Sequence, residues 1–368
     1  MTTNQFSQAE GLAVGQPSSQ RVDRAGRYTE LDGLRGIAVA SVLVHHYTVA
    51  FDTFFPTHRG VGISFEWGKL GVQLFFMISG FVILMTAQRH ERASDFALAR
   101  AIRLYPTYWA CLTLTVMAVY GAGVLVLGRP WWEIVVNYSM LQSFVAVRDF
   151  DGVYWSLARE IVFYLLIAAA LLRWRRVPRR VVIWGSFAWS LAGLGLIGLH
   201  TVVDSGWSAI LVSAAVAEFA PLFGLGAVLY LFTRERRLHP VAGALAALAA
   251  ISTGLLRGWP TGVAVALIVL AFAAVVLRGD VPLLRWRVLT WLGAISYPLY
   301  LLHQNIGYVV LERTVDRVGP WPARVLATAV VLVIAWVVHE LVEVRASRWL
   351  SRLLKRPRRA VLSSKSAP

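Results

Sequence analysis

From Leu34 onward, long apolar stretches alternate with short polar connections. The stretches fall at about 34–54, 70–88, 104–127, 154–172, 181–201, 210–232, 240–256, 261–277, 289–311 and 323–344. A helix needs roughly 20 such residues to cross the hydrocarbon core of a bilayer. The pattern therefore predicts an all-α integral membrane protein of about ten transmembrane helices, with no room for a soluble domain. Residues 1–27 are polar, carry three arginines and hold no apolar run long enough for a signal-peptide core, so they read as a disordered cytoplasmic tail. The ten-helix membrane domain then spans 28–345, and 346–368 reads as a basic cytoplasmic tail. No internal repeat marks the paired halves common in transporters.

Composition supports this reading, since 57% of the residues are apolar, 15% are charged and the mean hydropathy is +0.61. Disorder, collagen and disulfide scaffolds are excluded. The net charge of +16 would suggest nucleic acid in a soluble chain, but here the basic residues lie between the apolar runs. Counted on alternate sides, 27 Lys and Arg fall on the side of the two termini and 8 on the other, with Arg159 inside a stretch. The positive-inside rule then makes both termini cytoplasmic in a multi-pass protein of the inner (plasma) membrane, with no nucleic-acid partner. Cys111 is the single cysteine, so neither an intramolecular disulfide nor a cysteine-based metal site is expected. Aromatic residues such as Tyr105, Trp109, Trp131, Trp132, Trp155 and Trp259 fall where stretches meet the interface.

Chemistry is sought among polar residues at membrane depth, which are functional hypotheses by default. The segment Leu31-Asp-Gly-Leu-Arg-Gly36 leads into a helix with His45 and His46. Eleven residues separate Arg35 from His46, about 16 Å of rise and close to three whole turns, so the two share a face half a bilayer apart. A guanidinium that clamps phosphate and an imidazole that titrates near neutrality suit a ligand with phosphates at the surface and a reactive end inside. Alternatively, Arg35 is a topogenic charge and His46 packs against a neighbouring polar group. His45 points about 100° away and reads as structural.

Four further places stand out. Gly71, Ser79 and Gly80 give small surfaces for close helix approach in a bulky helix. Arg100 and Arg103, followed by Pro106, either grip phosphate or obey the positive-inside rule. Glu160, beside Arg159 in Trp155-Ser-Leu-Ala-Arg-Glu160, must meet a cation or a proton donor at its depth. His303 lies about 20 Å up the ninth stretch by helical rise, near the level of His46. His339, Glu340 and Glu343, at the cytoplasmic end of the last stretch, read as solvated interfacial groups.

These residues resemble the acyltransferase-3 family, polytopic membrane enzymes that modify cell-surface glycans, lipids and some secondary metabolites, over about residues 28–345. The family's Arg/Lys, ten residues, His pattern falls on Arg35 and His46. Its glycine-valine to serine-glycine-phenylalanine motif falls on Gly71, Val72, Phe75, Phe76, Ser79, Gly80 and Phe81, its Arg-x-x-Arg on Arg100 and Arg103, its Trp-Ser-Leu-x-x-Glu on Trp155 to Glu160, and its Ile-Ser-Tyr to His stretch on Ile295 to His303. Gln73 departs from the acidic residue or proline that many members carry there. The hydrolase-like carboxy-terminal extension of some members has no counterpart after Arg345, so no two-domain relay is expected within this chain.

The resemblance implies transfer of an acyl group, acetyl above all, from cytoplasmic acyl-coenzyme A to a hydroxyl of an exported or lipid-linked saccharide such as an exopolysaccharide unit. A glycolipid or small secondary metabolite is the alternative acceptor. On this reading Arg35, Arg100 and Arg103 hold the donor phosphates. His46 is the base or acyl carrier, Glu160 orients its imidazole, and His303 lines the acceptor path or stabilises the oxyanion. No metal is expected. The 128–153 connection, with Trp131, Trp132, Asn137, Tyr138, Gln142, Arg148, Asp149 and Asp151, mixes aromatic and hydrogen-bonding groups that suit sugar rings, and Trp155 follows it. A transporter or flippase of a lipid-linked glycan shares ten spans and midplane polar residues, but has no need of Arg35 and His46 on one face.

Overall fold

A computed structural model describes residues 28–350 apart from Arg59 and Ser347, so the expected tail at 1–27 and all of the expected tail at 346–368 beyond residue 350 lie outside the described residues. Helix α1 (Thr29–His45) runs through a π-helical turn (His46–Ala50) into α2 (Phe51–Phe54). Helices α3 (Gly71–Ala87), α4 (Ala93–Gly121), α5 (Trp131–Asn137), α6 (Trp155–Trp174) and α7 (Arg179–Val203) follow. Then come α8 (Gly206–Ala214), α9 (Ala220–Glu235), α10 (Val241–Arg257), α11 (Trp259–Arg278), α12 (Arg287–Ala294) and α13 (Ser296–Val318). The last helix, α14 (Pro320–Val338), ends in a second π-helical turn (His339–Val344).

Six helical rods are long and apolar enough to cross a membrane among the described residues: Thr29–Phe54, Glu66–Ala87, α6, α7, α11 and the rod that begins at Pro320. The other four expected stretches are helical but interrupted, short or more polar. The stretch expected at 210–232 breaks between α8 and α9, where Glu218 is buried and Pro221 occupies the first turn of α9. The one expected at 289–311 breaks at Ile295, with Pro298 in the first turn of α13. Proline lacks the N–H that a continuous helix would use, but at a helix start that N–H has no intrahelical partner anyway.

The outside is apolar and the inside carries polar groups. Leu172 and Val202 are 78% and 84% exposed, whereas Asn137, Asp151 and His303 are fully buried. That inversion suits a lipid surround, in which helices associate through close packing. The glycines show where backbones meet. A Cβ on Gly226 would lie 2.0 Å from the Met77 carbonyl oxygen, and one on Gly80 would lie 2.1 Å from that of Phe223, so α3 and α9 cross in backbone contact. Gly33, Gly36 and Gly293 do the same for α1 against residues 284–293. Gly226→Ala is therefore expected to destabilise the fold by about 1–3 kcal/mol, the usual cost of overpacking. Thermal unfolding in detergent checks this against Gly198→Ala, where nothing lies within 4 Å.

The connection between α5 and α6 folds into a cap rather than an open polar loop. Asn137 Nδ2 donates to the carbonyls of Glu133 and Arg148 while its Oδ1 accepts from Phe150 N–H. Gln142 donates to Asp149 at 2.7 Å. Asp151 accepts from the backbone N–H groups of Val153 and Asn305, tying the cap to α13 two residues past His303. Burial raises the Asp151 carboxyl to about 7, against the opposing pull of those two N–H donors. Asn137 and Asp151 are spent on backbone groups of the cap and of α13 and do not face a sugar, whereas Gln142 Oε1 stays buried without a hydrogen-bond partner among the described residues.

Candidate functional site

Four cavities adjoin one another along the inside of the bundle. The first, about 490 Å³, opens at the end holding Tyr28 and Arg89 and is lined by Arg35, Arg103, His339 and Glu343. His339 and Glu343 pair at 2.7 Å within the second π-helical turn, lining this mouth. Arg35, Arg103, Ser296 and Tyr297 also line the next chamber, where Arg100, Glu160 and Tyr164 join them. Val72 and Tyr300 separate that chamber from a third, about 170 Å³, lined by His45, His46, Gln73 and Trp155. Trp155, Phe219 and Arg257 lead on to a fourth, about 350 Å³.

The second chamber gathers three guanidiniums around one carboxylate. Arg35, in the second turn of α1, sits 3.7 Å from Asp32. Arg100 is 7% exposed, lies over the rings of Phe96 and Tyr164 at 5.7 and 5.8 Å, and leaves its Nε buried without a hydrogen-bond partner. Glu160 accepts from Tyr164 Oη at 2.5 Å and Ser79 Oγ at 3.3 Å. The proton donors that its depth demanded are thus Tyr164 and Ser79. The structure places Glu160 among the arginines and not on the His46 ring, which corrects the orienting role expected from sequence. The excess of positive charge and the unfilled Arg100 donor suit a polyanion such as a phosphate group.

His46 begins the π-helical turn in α1. Such turns add a residue to the helix and recur at functional sites. Its Nδ1 meets the Val42 carbonyl at 2.8 Å and His303 Nε2 at 3.3 Å. A carbonyl only accepts, so Nδ1 carries the proton and Nε2 keeps its lone pair. His303 Nδ1 donates to the Tyr300 carbonyl at 2.8 Å, which leaves its own Nε2 free to accept from His46. The two rings are 4.7 Å apart between centroids and nearly perpendicular. His46 therefore offers the lone pair of Nε2 from a half-buried ring that lines the third chamber. His303 is fully buried and acts on the other side of the ring.

His45 lines the same chamber, although the helical angle placed it elsewhere, and its Nδ1 meets the Phe65 carbonyl at 3.1 Å. Trp155 lines the third and fourth cavities, its ring 5.6 Å from that of Phe219. Trp131 and Trp132 sit on the surface of α5, 77% and 47% exposed, and line none of the four cavities.

Several residues escaped the sequence reading. Arg324, 5% exposed, donates from Nε to the Tyr47 carbonyl at 2.6 Å and pairs with Asp52. Tyr47 Oη donates to the His303 carbonyl at 2.8 Å. Arg324 and Tyr47 thus brace the π-helical turn and the paired histidine together. A Cβ on Gly307 would lie 2.0 Å from Tyr47 Oη, so that position admits only glycine without moving the phenol. An arginine in the first turn of an apolar stretch was the available signal for Arg324. For Tyr164 the signal was its i,i+4 spacing from Glu160, and Tyr300 gave none.

The model of a family described as an acyltransferase domain matches residues 28–340. Acyltransferase MdmB of Streptomyces mycarofaciens is 26% identical over 89% of this chain and 94% of its own length. Nodulation protein 10 of Rhizobium leguminosarum bv. viciae is 24% identical over 86% of this chain and 87% of its own. A putative peptidoglycan O-acetyltransferase of Bacillus subtilis, YrhL, is 26% identical over 78% of this chain and 50% of its own length. No solved structure matches.

Proposed function

The chain belongs to the acyltransferase domain family, and from that premise we propose that it moves an acyl group, acetyl first of all, from acyl-coenzyme A to a hydroxyl of an exported or lipid-linked saccharide. The observation that carries this reading is the contiguous series of cavities leading from the Arg35, Arg100 and Arg103 cluster to the His46 imidazole. The donor phosphates dock on the guanidiniums, with Glu160 and Tyr164 holding the chamber's shape. The pantetheine arm passes Val72 and Tyr300 and brings the thioester beside His46.

His46 Nε2 takes the acceptor hydroxyl proton as that oxygen attacks the thioester carbonyl carbon. The carbon–sulfur bond breaks, and the coenzyme A thiolate recovers the proton from the imidazolium. His303 holds His46 in the required tautomer and shares the Nδ1 proton. The names of relatives that are peptidoglycan O-acetyltransferases support a saccharide as acceptor. Ten crossings of the inner membrane with both termini cytoplasmic place the arginine mouth on the side where acyl-coenzyme A is made.

The test is coenzyme A release by the purified full chain given acetyl-, propionyl- or succinyl-coenzyme A. It is paired with the ester content of surface glycans in a deletion strain and its complemented strain. Thioester cleavage and a loss of glycan esters on deletion are expected. No cleavage with any donor sinks the enzymatic reading, and unaltered glycan esters with intact cleavage exclude the saccharide. Reporter fusions at residue 360 and in the 204–205 connection check the topology, with 360 expected inside and 204–205 outside.

A further inference from the structure

The fourth cavity holds a charge, Arg159, that no carboxylate among the described residues pairs with directly. Arg159 projects from α6 toward α8, where its Nη2 donates to Ser213 Oγ at 2.7 Å, and its guanidinium lies 5.9 Å over the Trp155 ring. Two acids are near enough to act on it, Asp149 and Glu218, and both are engaged elsewhere. Glu218 takes two hydrogen bonds from Arg257, at 2.5 and 2.9 Å, and Asp149 takes one from Gln142 at 2.7 Å. A guanidinium has five N–H donors, and among the described residues the one hydrogen bond from Arg159 is to Ser213. A cation in an apolar helix is costly unless an anion or water meets it.

A second, independent observation lies next door. Gln73 is 4% exposed and lines the His46 chamber, and its Oε1 is buried without a hydrogen-bond partner. Between the Arg159 guanidinium and the unpartnered Gln73 amide oxygen stands Trp155, which borders both cavities and whose ring already carries Arg159 and Phe219.

We propose that these two cavities dock an acceptor sugar bearing an oxyanion, a phosphate or a carboxylate, which pairs with Arg159 while the ring passes Trp155 and a hydroxyl reaches Gln73 and His46. The fate of that hydroxyl rests on the acyltransferase reading above, whereas the binding does not. Arg257, already neutralised by Glu218, forms the opposite wall. An uncharged acceptor displaces water from the half-buried Arg159 guanidinium without supplying an anion, so anionic and neutral sugars are discriminated by charge. Replacing a charged hydrogen bond with none disfavours the wrong ligand more than a change of apolar contact does.

The experiment measures binding of glucose 1-phosphate, glucuronate and glucose to the full chain in nanodiscs by calorimetry, with coenzyme A present at saturation to fill the arginine chamber. The two anionic sugars are expected to bind at least about tenfold tighter than glucose, and the tighter of them identifies phosphate or carboxylate as the group recognised. In Arg159→Gln that preference falls to within about twofold, and Arg159→Lys restores part of it. Gln73→Leu weakens all three sugars together. Equal binding of the three sugars to the unmodified protein overturns the proposal. So does a preference that survives in Arg159→Gln but disappears in Arg100→Gln, which places the anion in the donor chamber. Coenzyme A release from acetyl-coenzyme A is measured on separate aliquots of the same preparations to which no coenzyme A has been added. An anion preference dependent on Arg159 without any release upholds the docking site and rejects the acyltransferase reading instead.

Discussion

Replacing His46 with alanine is expected to lower acyl transfer by about 10²–10⁴-fold while the protein remains in the membrane at normal abundance, the range associated with loss of a general acid–base group. The expectation follows from the ring's setting. The Val42 carbonyl at 2.8 Å fixes the Nδ1 proton, so the lone pair on Nε2 is presented to the chamber. His45→Ala retains much of the activity, because the His45 ring is held 20 residues away in sequence by the Phe65 carbonyl at the exposed edge. His303→Ala falls between the two, since it removes one acceptor of the His46 proton and leaves the Val42 carbonyl in place. Equal losses for His45→Ala and His46→Ala, or a larger loss for His303→Ala than for His46→Ala, would reassign the base. If His46 carries the acyl group itself, mass spectrometry of the acid-quenched protein detects an acyl-imidazole on the peptide containing it.

How much of this was legible in the sequence follows from what sets each feature. Helical rise and angle are local, so Arg35 and His46 open onto one connected series of cavities, and the levels assigned to His46 and His303 agree with rings 4.7 Å apart. Gly71 and Gly80 marked close approach for the same reason, since a missing side chain is visible in the letters. The partners in those approaches were not, because nothing local says that Gly80 meets the Phe223 carbonyl. Glu160 shows the limit most clearly. Its need for a proton donor was readable from depth and Tyr164 stands one turn on in the same helix, but Ser79 joins it only through the way α3 and α6 meet. The π-helical turn at His46 changes which groups the following residues face, and Tyr47 consequently reaches α13 and α14 in ways a regular helix does not predict. In the 137–154 cap, composition alone could not tell that Asn137 and Asp151, which suit a sugar, are buried against backbone groups instead.

Arg35→Gln, Arg100→Gln and Arg103→Gln are each expected to raise the KM for acetyl-coenzyme A by about 10- to 100-fold, with a smaller effect on kcat. A hydrogen bond to a charged group contributes roughly 1.5–3 kcal/mol, and each 1.4 kcal/mol is tenfold. Arg100 should show the largest shift. It is the most buried of the three, its Nε has no partner within the protein, and the rings of Phe96 and Tyr164 hold its plane in place, so little freedom is lost when a phosphate arrives. A topogenic charge has no reason to be buried in this way, because the positive-inside rule needs only a cation at the membrane surface. The discriminating substrate is S-acetylpantetheine, which keeps the thioester and lacks the nucleotide phosphates. Its KM should be nearly indifferent to the three substitutions, and added salt should weaken acetyl-coenzyme A more than acetylpantetheine, since the mouth lined by Arg35 and Arg103 is open to solvent. Equal losses with both substrates would mean that the arginines hold the chamber's shape for Glu160 and Tyr164 and do not bind the donor's phosphates.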